Sequence, residues 1–320
     1  MLQRHSRGAF VVAAAVLLAA GCSSNSLQTP MGTRVLAGPT VAGPRILAST
    51  PQKPNAPTGW PDRHKKKAYL FVADGNSGVL IYDPKTANGS PIGSVTSGVN
   101  GPAGVAVDKR GALYVANGGA STVTVYPKGQ NTPRLTITAG ISEPYGIAVD
   151  SKGNIFVSNL GNNTVTAYAK GATTPYATID FSRYGQPVGV GVDGKDNFWV
   201  VSGTVYEIPA GTTTLQDAEL TGLNGPIGIS FGQKDVMYVS NFSGSNIQVY
   251  AYGTTTPSKT ITDGIETSGP TLGGFTKSNA YFQTNQANDV VGYKKHQTSP
   301  FSTLTSASPL GVASSPLVTK

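Results

Sequence analysis

Short apolar segments alternate with polar turns along most of the chain, and one arrangement of them recurs about every 42 residues. The unit begins with Pro-x-Gly and small or β-branched residues, as in PAGVAVD at 102–108, PYGIAVD at 144–150 and PVGVGVD at 187–193. Weaker copies begin at Pro226, Pro270 and Pro309. Each copy continues through an aromatic-rich segment, a segment ending in Tyr and a Thr-rich segment, which predicts four strands per unit. A repeat of this length and strand content predicts a β-propeller.

The count of strands predicts how the ring closes. We label the strands of each unit a to d from the channel outward, strand a being the Pro-x-Gly segment. Six segments fit strand b, beginning at Tyr69, Leu113, Ile155, Phe198, Met237 and Ala280. Six fit strand c, ending at Tyr82, Tyr126, Tyr168, Tyr206, Tyr250 and Tyr293. The first strand b has no strand a before it, and the last strand a, at 310–314, has no strand b after it. We therefore predict an all-β, six-bladed β-propeller with four antiparallel strands per blade, whose C-terminal strand pairs into the first blade and removes the open edges.

Three polar residue types recur at fixed places in the repeat. Tyr ends strand c, Asp ends strand a, and Asn ends several copies of strand b. A binding role would not demand the same residue in every blade, whereas packing between blades and the capping of turns do. We interpret these residues as structural.

The N-terminal segment predicts export and a lipid anchor. Arg4 and Arg7 precede an apolar run at 9–20, which is too short to span a bilayer as a mature helix. The following LAAGC at 18–22 resembles the lipobox of bacterial lipoproteins, which implies cleavage before Cys22 and lipidation of its thiol. An ordinary secretory signal with an incidental cysteine is the alternative. Cys22 is the only cysteine, so no intramolecular disulfide can form.

These features divide the chain into three parts. We predict a lipoprotein signal peptide at 1–21, a lipid-anchored flexible tether at 22–67 and the propeller at 68–320. The tether is rich in Pro, Ser, Thr, Gly and Ala without a sustained period. Trp60 within it either packs on the propeller or is a lone exposed aromatic. The absence of Asp after Cys22 favours, by resemblance, the outer membrane, with the protein facing the periplasm or the cell surface.

The most complete unit, PYGIAVDSKGNIFVSN at 144–159, resembles the NHL repeat. The resemblance extends over about 68–320 and includes the gluconolactonase-like propellers. It implies a six-bladed propeller whose ligand site lies at the channel mouth, on the face formed by the b–c and d–a loops. It does not imply one activity, because this fold hosts binding proteins, sensors, lactonases and lyases.

Charge is distributed unequally between the two predicted faces. The side of the a–b and c–d loops has eleven basic residues against six aspartates, whereas the opposite side has Arg183 alone against six acids. One interpretation is that these lysines, in exposed turns, serve solubility alone. Alternatively, this side faces anionic lipid, with a candidate membrane-facing set of Lys109, Arg110, Lys152, Lys195, Lys234 and Lys277. No aromatic residues alternate with these lysines, so we do not expect nucleic acid as a partner.

Residues that break the repeat on the b–c/d–a face predict where a ligand binds. The 181–186 segment is a longer d–a loop that contains Arg183 and two aromatic residues. Such loops often form the binding surface of repeat proteins. The candidate ligand face consists of Glu143, Tyr145, Arg183, Tyr184, Gln186, Phe242 and Glu266. We expect a monomeric propeller that binds an envelope protein or glycan without a cofactor.

A metal-dependent hydrolase is the alternative function. The lactonase resemblance implies carboxylate and amide ligands around Ca²⁺ or another divalent cation at the channel mouth. The candidate ligands are Glu143, Glu266, Asn159 and Asn241. The three histidines, His5, His64 and His296, lie in the signal, in the tether and in a c–d loop. A histidine general base at the predicted mouth is therefore not expected.

Overall fold

The computed structural model describes residues 59–61, 68–86, 89–286 and 289–315. The predicted signal peptide, the lipidation site Cys22 and nearly all of the predicted tether lie outside these residues. Within them no helix has the length and apolar character needed to cross a bilayer. The helical content described is three short 3₁₀ turns, at Gly118–Ala120, Leu160–Asn162 and Gln233–Asp235.

The described chain forms 24 strands in six antiparallel four-stranded sheets. In chain order the strands are β1 (Tyr69–Asp74), β2 (Gly78–Tyr82), β3 (Gly93–Val95), β4 (Pro102–Val107), β5 (Leu113–Asn117), β6 (Thr122–Tyr126), β7 (Leu135–Ile137), β8 (Pro144–Val149), β9 (Ile155–Asn159), β10 (Thr164–Tyr168), β11 (Ala177–Asp180), β12 (Val190–Val192), β13 (Phe198–Ser202), β14 (Thr204–Ile208), β15 (Gln216–Asp217), β16 (Pro226–Phe231), β17 (Met237–Asn241), β18 (Asn246–Tyr250), β19 (Lys259–Ile261), β20 (Pro270–Phe275), β21 (Tyr281–Asn285), β22 (Asp289–Tyr293), β23 (Ser302–Thr305) and β24 (Pro309–Ser315). The molecule is a six-bladed β-propeller, as the repeat predicted.

The C-terminal strand closes the ring. The first blade has the order β24-β1-β2-β3, and β24 pairs antiparallel with β1 from Leu70 opposite Ser314 to Ala73 opposite Gly311. The other blades contain consecutive strands, from β4–β7 to β20–β23. The innermost strands contact their neighbours all the way round, including β24 with both β4 and β20. The predicted closure is confirmed.

Burial explains the different patterns of inner and outer strands. Strand a of the second blade, β4, and strand b of the first, β1, are buried at every position because both of their sheet faces pack against neighbouring blades. The outer strand β11 alternates half-buried and exposed positions. Continuous apolar runs therefore form the inside of the ring, and alternating ones its rim.

The Pro-x-Gly motif starts strand a where the blades approach most closely. A Cβ added to Gly146 would lie 2.6 Å from the Val188 carbonyl of the next blade, and one added to Gly311 would lie 2.5 Å from the Ala103 carbonyl. Real side chains cannot occupy such space, so glycine is required. In five of the six blades the proline begins the strand, where its missing N–H breaks no interior ladder bond.

The recurring Tyr and Asp residues are structural, as interpreted. The hydroxyls of Tyr82, Tyr126, Tyr168, Tyr250 and Tyr293 donate to carbonyls of the preceding blade, at the end of its strand d or in the following d–a loop, at 2.6 to 2.8 Å. Asp150 accepts the N–H groups of Lys152 and Asn154 and thereby caps the a–b turn. Asp108 and Asp193 cap their turns in the same way.

Two expectations need a correction or a choice. Tyr206 does not end strand c of the fourth blade: Ile208 occupies that position, opposite Phe198, and Tyr206 lies two residues earlier in β14. Trp60 packs on the first blade, 4.9 Å from the Phe71 ring centre. The backbone of the preceding residue, Gly59, forms a bridge with Ser94. The packing alternative for Trp60 is therefore the correct one.

Candidate functional site

The channel mouth on the b–c/d–a face is closed by an apolar plug. In five of the six units the residue after the proline belongs to one buried cluster, formed by Ala103, Tyr145, Val188, Ile227 and Leu310. Tyr145 is 0% exposed, and its hydroxyl has no hydrogen-bond partner among the described residues. The prediction that Tyr145 projects from this face is wrong. Its aromatic side chain packs inside the plug and does not face solvent.

The candidate metal ligands do not converge. Glu143 is exposed in the loop between the second and third blades, and Glu266 is half-buried in the loop between the fifth and sixth. In a ring of six blades these two loops lie on opposite sides. Among the described residues, no group of three His, Cys, Asp or Glu side chains has the arrangement of a metal site.

The two candidate asparagines are buried and engaged within their own blades. The Asn159 side-chain oxygen accepts the Ser142 N–H at 3.1 Å, and that of Asn241 accepts the Asn224 N–H at 3.1 Å. Both amide groups donate to neighbouring side chains or carbonyls. Their polar atoms are thus used to fix the loops that precede strand a.

The charge of Glu266 affects the carboxylate of Asp289, which lies in the sixth blade. Burial raises the pKa of Asp289; a hydrogen bond from Asn285 opposes this shift, and the negative charge of Glu266 makes a smaller contribution that adds to it. The Asn285 amide nitrogen lies 2.7 Å from Asp289 Oδ1. These contacts belong to the b–c loop of the sixth blade.

The fourth blade departs from the repeat at the b–c/d–a face. Its b–c connection is the single residue Gly203, between β13 and β14, whereas the second and third blades have four residues there. The preceding d–a loop, between β11 and β12, is longer and bonds to the end of β13. Gly185 has φ of 102°, a conformation that favours glycine, and the Tyr184 carbonyl accepts the Ser202 hydroxyl at 3.0 Å.

This loop carries an ordered cluster of three rings, Phe181, Tyr184 and Tyr206, which we call the aromatic platform. Tyr184 meets Tyr206 edge-on at 5.4 Å between ring centres and Phe181 at 5.9 Å. Phe181 is fully buried below, whereas Tyr184 remains 45% exposed. Burial, followed by the negative charge of Asp217, raises the pKa of Tyr206. Sequence reasoning missed Tyr206 as part of this site because it assigned Tyr206 to the wrong place in strand c.

The remaining candidate residues of this face surround the platform or lie below it. Arg183 and Gln186 are exposed, and the Gln186 amide donates to the Leu160 carbonyl at 3.2 Å. Phe242 is half-buried and packs against the plug. The structure thus brings Arg183, Tyr184 and Gln186 together in one loop and leaves Glu143 and Glu266 in other loops.

An open cavity lies on the opposite face. A funnel of about 1100 Å³ is lined by the inner strands of all six blades and by the a–b turns of the second to fifth. Its wall includes Val190, Ile229 and Phe275, and its rim includes Lys109, Lys195 and Lys234. The channel is thus closed at the mouth where the resemblance implied a ligand site and open at the other.

On this second face the basic residues are exposed and the acids are turned inward. All eleven basic side chains assigned to it are exposed, namely Lys85, Lys109, Arg110, Lys128, Lys152, Lys170, Lys195, Lys234, Lys277, Lys294 and Lys295. None of its six aspartates is: Asp108, Asp150 and Asp193 are buried, and Asp83, Asp196 and Asp235 are half-buried. The aspartates accept backbone N–H bonds, for example Asp235 from Gly194 at 2.7 Å. The surface is therefore more basic than the count of charges suggests.

Comparison with known proteins supports the fold. No protein-family model matches the chain, and neither does any curated protein sequence. One similar solved structure, titled as a nidogen/laminin complex, has a TM-score of 0.63 and 14% identity over 79% of this chain and 100% of the other. A protein of unknown function from Bacteroides caccae has a TM-score of 0.60 and 11% identity over 78% and 99%. A streptogramin B lyase has a TM-score of 0.52 and 12% identity over 73% of each chain. At these identities the likeness extends to the β-propeller fold alone.

Proposed function

We propose that this protein is a cell-envelope lipoprotein whose propeller binds a protein or glycan through the aromatic platform and the adjacent Arg183. Its proposed location rests on the sequence: the signal at 1–21 directs export, and lipidated Cys22 anchors the chain to the outer membrane through the tether. The propeller acts as an NHL-like binding module, as a monomer and without a cofactor.

The half-exposed ring of Tyr184 is the observation that carries this proposal. Aromatic residues and arginine contribute most of the binding energy at protein interfaces. Contacts with Phe181 and Tyr206 restrict Tyr184 before any partner arrives, so little conformational entropy is lost on binding. The apolar plug beneath the centre of this face leaves a surface of loops, which fits a macromolecular partner better than a small molecule enclosed in a pocket.

The similar structures are compatible with such a role without defining it. One of them is titled as a complex of nidogen with laminin, and another is a lyase. A lyase that relied on histidine would need that residue beside its ligand. In this chain His296 lies in a c–d loop, on the side away from the platform.

The proposal is tested by photo-crosslinking in cells of the native host. A photoreactive phenylalanine analogue replaces Tyr184 in the full-length chain, and in two control variants it replaces Tyr176 or Tyr252. The controls are matched because all three tyrosines are exposed, at 45%, 59% and 53%, and the controls lie in c–d loops of the opposite face. We expect one discrete adduct from position 184 that neither control forms. The same adducts from all three positions, or none from position 184, would contradict the proposal.

Once the adduct is identified, truncation of the platform measures its contribution. Replacing Tyr184 with Ala is expected to weaken binding of that partner at least about tenfold, as for other central aromatic residues. Tyr176→Ala is the control that removes an exposed ring from the opposite face. Equal affinities for the two variants would exclude the platform as the binding surface.

A further inference from the structure

The a–b/c–d face has the character of a surface that docks on anionic lipid. Its eleven exposed basic side chains and six inward-turned aspartates are distributed over all six blades. A positive surface of this kind is attracted to anionic headgroups within a screening length of the bilayer. The opposite face has one exposed cation, Arg183, among the basic residues assigned to it.

A second observation on the same face is independent of charge. In the described part of the chain three large apolar side chains are exposed, and two of them, Tyr176 and Tyr252, project from c–d loops of this face. Tyrosine is enriched where proteins meet the bilayer interface, because its ring is apolar and its hydroxyl polar. The Lys195 ammonium lies 4.3 Å from the centre of the Tyr252 ring and contacts its hydroxyl. This pair combines an interfacial ring and a cation at one point.

We infer that the a–b/c–d face binds the surface of a bilayer that contains anionic lipids, with the turn lysines contacting headgroups and Tyr176 and Tyr252 entering the interface. In this orientation the platform on the other face points away from the membrane. The inference concerns a different face from the proposed partner site, so either can fail while the other stands.

The test uses residues 23–320, the chain that follows the predicted lipidated cysteine. The described residues between 59 and 315 form the complete ring, and residues 23–320 contain no cysteine, so single cysteines can be introduced and labelled. The probes are vesicles of phosphatidylcholine with phosphatidylglycerol, and vesicles of phosphatidylcholine alone. We expect sedimentation with the anionic vesicles only, and release by added salt. Absence of binding to anionic vesicles at low salt would overturn the inference.

Charge variants separate a face-specific interaction from attraction by net charge. Lys152→Gln, Lys195→Gln and Lys234→Gln together remove three cations from this face. Each lysine near an anionic surface strengthens binding about fivefold. We therefore expect the affinity of the triple variant for anionic vesicles to fall about a hundredfold. The control, Ala120→Glu, Thr262→Glu and Thr267→Glu, lowers net charge equally at exposed positions of the opposite face. Equal losses for both triple variants would overturn the assignment to one face.

Position-specific fluorescence then tests the orientation. An environment-sensitive dye is attached to a single cysteine in Tyr176→Cys, Tyr252→Cys or Tyr184→Cys. We expect a blue shift on adding anionic vesicles for the first two and none for the third. A shift at position 184, or at none of the three, would overturn the proposed orientation.

Binding of the wild-type chain to duplex DNA with no vesicle binding would instead assign the basic face to another polyanion.

Discussion

At the scale of single residues, the same side chain has different consequences in different places. Tyr126 is buried and donates to the Ser97 carbonyl of the neighbouring blade at 2.7 Å. Tyr145 is equally buried, but its hydroxyl has no partner among the described residues. Burial raises the pKa of both hydroxyls. Only the first therefore gains a hydrogen bond in return for the loss of its hydration.

One substitution at both sites should change stability in opposite directions. Tyr126→Phe removes an inter-blade hydrogen bond and is expected to lower the free energy of unfolding by about 1 kcal/mol. Tyr145→Phe removes an unpaired buried hydroxyl and is expected to raise it by about 1 kcal/mol. Urea denaturation followed by circular dichroism measures both. A loss of stability in Tyr145→Phe would mean that its hydroxyl has a partner.

Among the elements, the a–b turns of the third to sixth blades are connected by a series of side chains. Asp196 accepts the Ser151 N–H at 2.9 Å, Asp235 accepts that of Gly194 at 2.7 Å, and Asn279 accepts that of Gln233 at 2.9 Å. All three acceptors have φ between 55° and 66°. The second and third blades have Gly111 and Gly153 in the corresponding turns. The connection is thus restricted to one part of the rim, where each turn depends on the next blade.

Asp196 makes this connection sensitive to acid. Burial opposes ionisation, but the bonds from Ser151 and the charges of Lys109 and Lys152 outweigh it, so the pKa of Asp196 lies below its usual 3.8. Because folding lowers the pKa of Asp196, the folded state is stabilised by the carboxylate form. This stabilisation is complete above the pKa of the unfolded chain and disappears as the pH falls through the lower pKa of the folded protein. Between about pH 5 and about pH 3 the wild type should lose more stability than Asp196→Asn, in thermal melts at a series of pH values. Parallel losses in the two proteins would show that Asp196 does not contribute.

For the whole molecule, closure of the ring depends on the last strand. β24 supplies strand a of the first blade and packs against β4 and β20. Without it β1 presents an unpaired inner edge, and the blades on both sides lose their neighbour.

Deletion of residues 307–320 is therefore expected to abolish cooperative thermal unfolding or to lower the melting temperature far more than a terminal deletion usually does. The matched control ends at Ser315 and retains β24. Differential scanning calorimetry compares both with the full chain. A melting temperature for the longer deletion equal to that of the control would show that closure adds little stability.

The sequence by itself determined the propeller, the number of blades and the way in which the ring closes. Those properties follow from local patterns repeated six times, and a repeated pattern averages out errors at single positions. The capping role of Asp108, Asp150 and Asp193 was predictable for the same reason, since a turn cap acts on its own next few residues.

Only the tertiary structure decided where the surfaces of the molecule are open. The sequence predicts Tyr145 at the surface, but it lies in the plug, where buried residues from five blades meet. The sequence predicts Tyr206 at the end of strand c, which is wrong. The one-residue hairpin at Gly203 shifts the register of β14, and this shift is visible only in the pairing with β13. The aromatic platform depends on that shift. The side chains at these points meet across blades, at separations in sequence over which a local pattern carries no information.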